Sequence, residues 1–125
     1  MATTPSKHAQ LAARFMRAFG DHDTDAILEL MSARPVWEFA VGTEPHGVRH
    51  DGRPAVRQAI EETWKNFPDI SYTDLRIYDA GVSIIYEVLT EAPSKNLRVQ
   101  SLDIMTFDAD DKICVKRTYR KVMNK

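Results

Sequence analysis

The order of the segments along the chain most constrains its fold, because helix-like segments come first and closely spaced strand-like runs follow. Apolar residues recur at helical spacing over residues 5–19, 24–31 and 54–67, and Gly20 and Pro68 are typical helix stops. A first strand-like run covers residues 36–41, and four more cover 70–78, 82–90, 97–107 and 112–122. Short turn-like connectors join the last four runs, which predicts an antiparallel meander.

This order predicts an α+β fold in which three helices pack on one face of a strongly bent antiparallel sheet. Such a bent sheet leaves a cone-shaped cavity under the helices, which is a natural ligand site. A length of 125 residues predicts a single domain over residues 1–125 with one core. Leu102 and Ile104 lie on the sheet face opposite to Val99 and Met105, so apolar residues occur on both faces. Because the helices can cover one face only, we expect a homodimer through the other.

The composition excludes several classes of function. The net charge of −1, with scattered Lys and Arg, does not favour nucleic acid or an anionic membrane as a partner. No stretch has the length and apolarity of a membrane span or a secretory signal, so we expect a cytoplasmic protein. The single cysteine, Cys114, excludes an internal disulfide, and its apolar neighbours indicate an inert core thiol. Nucleotide and phosphate-loop motifs are absent, and we expect no cofactor.

Asp103 stands in the middle of a long apolar strand-like run. Strand alternation places Val99, Ser101, Met105 and Phe107 on the same face as its carboxyl group. Burial of an ionised carboxylate requires a partner or protonation, and either state suits a proton donor or base. The alternative is that Asp103 faces water or pairs with a Lys or Arg of a neighbouring strand.

Several motifs resemble the superfamily of nuclear transport factor two, ketosteroid isomerase and SnoaL-like polyketide cyclases. They lie at residues 11–20, 25–31, 36–42, 52–57 and 102–108, and together they cover nearly the full chain. The Gly-Arg-Pro-Ala-Val-Arg opening of the third helix and the strand around Asp103 are similar to the SnoaL-like branch. The resemblance implies a cone-shaped α+β barrel that forms homodimers through the outer face of its sheet.

The resemblance also implies a proton-transferring role for Asp103. This residue falls where ketosteroid isomerases keep a protonated Asp donor and where SnoaL-like cyclases keep an acid/base Asp. The isomerase's general base would fall at Phe39 and its oxyanion tyrosine at Phe15. Neither phenylalanine can move a proton, so steroid isomerisation by that route is not expected.

A small apolar or aromatic organic ligand is the expected partner of the cavity. If Phe39 faces the cavity, alternation brings Trp37 to the same wall and turns Glu38 outward, and such a wall suits a flat ligand. These aromatic residues could equally be ordinary core. Beside Asp103, the predicted substrate-binding residues are Phe15, Trp37, Phe39, Tyr86, Ser101, Met105 and Lys116.

The last strand offers cations near Asp103. Lys116, Thr118 and Arg120 alternate with Arg117, Tyr119 and Lys121, and one set should line the cavity while the other meets solvent or a partner. A Lys or Arg beside Asp103 would favour its ionised form. Tyr72 and Tyr86 are further donors that could replace the missing tyrosine.

The loop at residues 46–51 holds two histidines, His46 and His50, at helical spacing. Gly47 argues against a helix that would align them, and a metal site would need a third ligand, so we expect no metal. Either histidine could carry a proton at the cavity mouth, or both could simply face solvent.

Two functions remain open. The first is a cofactor-independent acid/base enzyme of the isomerase, cyclase or hydratase/dehydratase type, with Asp103 as proton carrier. The second is a non-catalytic ligand-binding or dimerisation module with a structural Asp103. A pocket holding Asp103 and a second titratable group favours the enzyme. A tight bidentate pair, with a large loss of stability in Asp103→Asn, favours the module.

Overall fold

The computed structural model describes residues 5–122, which form three α-helices and one six-stranded sheet. The helices are α1 (Lys7–Gly20), α2 (Thr24–Glu29) and α3 (Arg53–Asn66). The strands are β1 (Met31–Glu38), β2 (Arg49–Asp51), β3 (Ser71–Ala80), β4 (Ser83–Ala92), β5 (Leu97–Phe107) and β6 (Ile113–Val122). The order across the sheet is β2-β1-β6-β5-β4-β3. The predicted α+β class is therefore confirmed.

Helix α1 forms because apolar side chains recur on one of its faces and a serine caps its start. The Oγ of Ser6 accepts a hydrogen bond from the backbone N–H of Ala9 at 3.1 Å, which satisfies one free amide of the first turn. Helix α1 therefore begins at Lys7, two residues after the predicted start at residue 5. Phe15 and Phe19 lie on the buried face and pack against the concave side of the sheet.

The meander predicted for the later strands is confirmed, since β3, β4, β5 and β6 pair antiparallel in sequence order. The register places Tyr86 of β4 and Thr118 of β6 directly opposite Asp103 of β5. Val99, Ser101, Asp103, Met105 and Phe107 are all buried, as their alternation predicts, and the residues between them are half-buried.

The prediction was wrong around β1. It placed residue 31 in the second helix and began the strand after Pro35, but α2 ends at Glu29 and β1 already begins at Met31. β1 runs parallel to β6 and antiparallel to β2, and the register against β6 shifts between Met31 and Val36. Pro35 lies in this irregular part of β1, where the strands are not regularly paired, so its missing backbone N–H costs no inter-strand hydrogen bond. The chain between β1 and α3 forms an irregular hairpin, in which the short strand β2 pairs back onto β1.

His8 ties the start of α1 to two turns of the sheet. Its ring stacks on Phe107 with centroids 4.3 Å apart. Its Nδ1 lies 2.8 Å from the carbonyl oxygen of Gly81, and its Nε2 lies 2.8 Å from Oδ1 of Asp111. Both partners are acceptors, so the protonated ring satisfies both contacts. The bond to Gly81 and then the bond to Asp111 raise the pKa of His8.

The outer face of the sheet, opposite to the helices, carries uncovered apolar side chains. Tyr78 and Tyr119 are exposed on this face, with 52% of Tyr119 accessible, while Leu102 and Ile104 are half-buried. Tyr119 and Leu102 lie directly opposite each other on neighbouring strands. In the part of the chain that is described, no helix is long and apolar enough to cross a membrane.

Candidate functional site

A cavity of about 90 Å³ lies between the helices and the concave face of the sheet. Phe19 of α1, Trp37 of β1 and Ile60 of α3 form its apolar side. Polar side chains of β4, β5 and β6 form the opposite side. Val41 and Arg120 are exposed lining residues, so they mark its mouth. A small enclosed space of this kind suits a ligand of few heavy atoms.

Asp103 lies at the centre of the polar side and is held by its strand neighbours. Its Oδ1 lies 3.0 Å from the Nζ of Lys116. Thr118 donates its hydroxyl hydrogen to the same oxygen, and Lys116 also donates to the hydroxyl of Thr118 at 3.1 Å. Only 4% of Asp103 and 5% of Lys116 are exposed. The two charged groups therefore form a buried ion pair in direct contact, and the hydroxyl of Thr118 is hydrogen-bonded to both of them.

The remaining side of the Lys116 ammonium faces aromatic rings. Its Nζ lies 4.1 Å from the ring centroid of Trp37 and 5.7 Å from that of Phe19, so it makes a cation–π contact with Trp37. Burial lowers the pKa of Lys116, the charge and hydrogen bond of Asp103 act against this, and the nearby Arg120 lowers it further. The net effect of the site is to lower the pKa of Lys116, so that this amine loses its proton more readily than an exposed lysine.

Two tyrosines add neutral hydroxyl donors to the cavity. Tyr86 is fully buried and hydrogen-bonds to Asp103, and burial followed by the charge of Asp103 raises its pKa well above the ordinary value. Burial also raises the pKa of Tyr72. Both phenols therefore stay protonated at neutral pH and can donate hydrogen bonds to an oxygen in the cavity.

Five of the seven predicted substrate-binding residues line the cavity together with Asp103: Trp37, Phe39, Tyr86, Ser101 and Lys116. The other two do not line it. Phe15 is fully buried behind Trp37, with ring centroids 5.9 Å apart, and Met105 is fully buried one step further along the same face of β5. Both positions face the packed core, because the helices fill that part of the cone.

The sequence left open which face of β6 lines the cavity, and Lys116, Thr118 and Arg120 do so. Thr118 was not singled out as a partner of Asp103, although its alternation with Lys116 was the available signal. For Phe19, the sequence predicts only that it belongs to the apolar face of the first helix. Spacing alone cannot distinguish a cavity wall from ordinary core, since both are apolar.

The histidine loop lies beside the cavity and not in it. The ring of His50 packs edge-on against that of Phe39, with centroids 4.8 Å apart, and neither His46 nor His50 lines the cavity. Glu38, predicted to point outward, does face away from the cavity but is only 8% exposed. Arg49 covers it with an ion pair of 2.8 Å. Among the described residues, no group of three or more His, Cys, Asp or Glu side chains could hold a metal ion.

Loop residues 39–48 are held in place by a glycine. The backbone N–H of Phe39 donates to the carbonyl of Val48 at 2.9 Å. Gly47 has a φ of +72°, and a Cβ there would lie 2.0 Å from the carbonyl oxygen of Phe39. Only glycine fits this close approach without a shift of the backbone. The loop therefore fixes Phe39 on the cavity wall.

Solved structures share this architecture. An NTF2-like protein of unknown function from Mesorhizobium loti is 25% identical, with a TM-score of 0.79 over 98% of this chain and 100% of the other. A SnoaL-like protein of unknown function from Burkholderia thailandensis is 16% identical, with a TM-score of 0.78 over 97% and 100% of the two chains. A Sinorhizobium meliloti protein described only provisionally as a polyketide cyclase is 19% identical, with a TM-score of 0.74 over 87% and 93%.

The three helices on a curled sheet define the cone-shaped fold of the nuclear transport factor two superfamily. Within this superfamily, the model of the SnoaL-like domain matches residues 12–115. The chain belongs to the SnoaL-like domain family. No curated protein matches the sequence significantly.

Proposed function

We propose that this protein binds a small apolar or aromatic organic molecule and acts on it by cofactor-independent acid/base catalysis, with Asp103 as the proton carrier. The reaction would be an isomerisation, a cyclisation, or the addition or removal of water. One observation carries the proposal: a buried carboxylate, an amine and a phenol converge on one side of a cavity whose other side is apolar.

The chemistry of these groups supports proton transfer on a carbonyl compound. The carboxylate of Asp103 is almost fully buried and lies on the cavity wall, so it can accept a proton directly from a bound substrate. Tyr86 is a neutral donor hydrogen-bonded to the same carboxylate. When Asp103 takes the neighbouring proton and loses its charge, the hydroxyl of Tyr86 can turn from Asp103 to the carbonyl oxygen and stabilise the negative charge that develops there.

Hydrogen–deuterium exchange tests this proposal without knowledge of the natural substrate. Small ketones, beginning with acetophenone and cyclohexanone, are incubated with the protein in D2O, and NMR follows the loss of the α-proton signal. We expect the unmodified protein to catalyse this exchange. We expect Asp103→Asn to slow it by about 100-fold, which is the usual contribution of a general base. Asp110→Asn makes the same chemical change at an exposed turn residue and should leave the rate unaltered. Equal rates for Asp103→Asn and the unmodified protein would contradict the proposal.

The second candidate is a ligand-binding or dimerisation module in which Asp103 is structural, and the ion pair with Lys116 favours it. The contact joins Nζ to one carboxyl oxygen at 3.0 Å, however, so it is not the bidentate pair that the structural alternative predicts. Under this alternative, ligands would still bind and the unmodified protein would exchange no protons. The stability of Asp103→Asn does not separate the two candidates, because removing one partner of this buried pair destabilises the protein under either of them.

The uncovered outer face of the sheet supports homodimerisation as part of the proposal. Tyr78 and Tyr119 are large exposed side chains on that face, and Leu102 and Ile104 add apolar area between them. A second copy would remove this area from water. We also propose a cytoplasmic location, which the free thiol of Cys114 supports.

A further inference from the structure

Lys116 is a buried amine that opens onto the cavity, and the acid/base role of Asp103 does not account for it. The long side chain leaves β6 and places Nζ at the cavity wall, between the carboxylate of Asp103, the hydroxyl of Thr118 and the face of Trp37. An ammonium that only balanced the charge of Asp103 would not need to reach the space where a ligand lies.

The surroundings of Lys116 allow its proton to move to Asp103. The donor and acceptor are 3.0 Å apart, within hydrogen-bond distance, and both side chains are almost fully buried. In a site of low polarity, a neutral amine beside a carboxylic acid competes with the ion pair, because both charges lose their hydration. Burial and the charge of Arg120 both lower the pKa of Lys116, in the direction that frees the amine.

We propose that Lys116 is a nucleophile that forms an imine with a small aldehyde or ketone held in the cavity. This role rests on the proposed function, because the same carboxyl group of Asp103 carries the proton. Desolvated lysines beside a proton carrier are a recognised means of activating carbonyl compounds.

The steps balance without any added reagent. Lys116 gives one proton to Asp103, and the freed nitrogen lone pair attacks the carbonyl carbon, so that a C–N bond forms and the C=O π bond breaks. Asp103 returns that proton to the carbonyl oxygen, which gives a carbinolamine whose nitrogen still carries two hydrogens and a positive charge. Asp103 then accepts one proton from this nitrogen, which gives the neutral carbinolamine, and delivers it to the hydroxyl group, which leaves as water while the C=N bond forms. The products are the protonated imine, paired with the carboxylate of Asp103, and one water molecule.

An imine would make the proposed proton transfer easier. The protonated C=N group withdraws electrons more strongly than a carbonyl, so the neighbouring C–H becomes more acidic, and Asp103 is the base closest to it. Trp37 lies 4.1 Å from Nζ, and its π face would also stabilise the positive charge of the protonated imine. The cavity of about 90 Å³ restricts the substrate to a compact aldehyde or ketone.

Reductive trapping of the unmodified protein tests the proposal directly. The protein is incubated with butanal and sodium cyanoborohydride at neutral pH, and peptide mass spectrometry measures butylation at each lysine. Lys65 is an exposed lysine on α3 and serves as the internal control. We expect Lys116 to be labelled at least about tenfold faster than Lys65, because burial lowers the pKa of Lys116 and the cavity holds the aldehyde beside its nitrogen. Labelling of Lys116 at or below the rate of Lys65 would overturn the proposal.

Two matched variants extend the test and separate it from the proposed function. Lys116→Met should lose the fast label, whereas Lys65→Met should keep it. The exchange of ketone α-protons should also slow at least tenfold in Lys116→Met. If exchange continues at the full rate in Lys116→Met while Asp103→Asn abolishes it, the imine is excluded and the proton-carrier role of Asp103 stands. If neither variant differs from the unmodified protein, both proposals fail.

Discussion

The substitution Asp103→Asn removes the charge that balances Lys116 and keeps the shape of the side chain. Both partners are almost fully buried and lie 3.0 Å apart, so the variant leaves a buried ammonium without its counter-ion. Breaking a buried ion pair by removing one partner destabilises a protein by about 3–5 kcal/mol. For a chain of this size, about 3 kcal/mol corresponds to a fall in Tm of about 12 °C.

The pH dependence of this loss follows from the titration of Lys116. Without the carboxylate, which raises the pKa of Lys116, burial lowers it further in the folded state. The unfolded chain then binds more protons than the folded one, so the stability of the variant rises with pH. The penalty cannot exceed the free energy of deprotonating a lysine, which is about 5 kcal/mol at pH 7 and about 2 kcal/mol at pH 9.

Thermal and urea unfolding at pH 7 and pH 9 measure these quantities. We expect the deficit of Asp103→Asn to shrink to about 2 kcal/mol or less at pH 9. The double variant Asp103→Asn/Lys116→Met, which also removes the unpaired ammonium, should recover most of the loss. Asp110→Asn is the control for the chemical change alone. A deficit that grows between pH 7 and pH 9, or a double variant less stable than Asp103→Asn, would refute the reasoning.

Three further predictions concern the frame around the site. His8→Gln should lower the thermal stability at pH 6, because the folded state raises the pKa of His8 and so favours the protonated ring. The difference in stability from the unmodified protein should vanish as pH rises above about 6.5 and through the raised pKa of His8. Gly47→Ala should destabilise by about 1–3 kcal/mol in urea unfolding because its Cβ would meet the carbonyl of Phe39, whereas Gly20→Ala, with open space around the new carbon, should not. Tyr119→Lys should convert the proposed homodimer to monomers in light scattering, since a charge would replace an exposed ring on the outer face.

The frame predictions would fail in recognisable ways. An effect of His8→Gln that increases with pH would mean that the neutral ring is the bound form. Equal stability of the two glycine variants would show that the loop relaxes at no cost. An unmodified protein that is monomeric at micromolar concentration would contradict the dimer.

The sequence predicted the fold class and the orientation of Asp103 because both depend on local periodicity. Period-two alternation in β5 runs over a long stretch, so the face that holds Asp103 could hardly be mistaken. β1 was harder to predict, since Pro35 usually marks an interruption and the irregular register that tolerates it depends on pairing with β6.

The contact between Lys116 and Asp103 could not be predicted because it depends on the register between strands. That register is set by the turn between β5 and β6, and the pairing shifts between Thr106 and Phe107. A slip of one residue would have turned Arg117 toward the cavity in place of Lys116. Alternation therefore narrowed the choice to two sets of side chains, and only the three-dimensional pairing decides between them.

The parallel pairing of Trp37 with Lys116 has a consequence for how the protein folds. These residues belong to the first and the last strands among the described residues, and strands β2 to β5 lie between them in sequence. Contacts between distant segments close large loops and form slowly, whereas the hairpins of β3 to β6 close short ones. We expect the meander to assemble early and the aromatic wall to dock onto Lys116 late. An intermediate that lacks this step would hold the Asp103 strand already paired but would have no enclosed cavity.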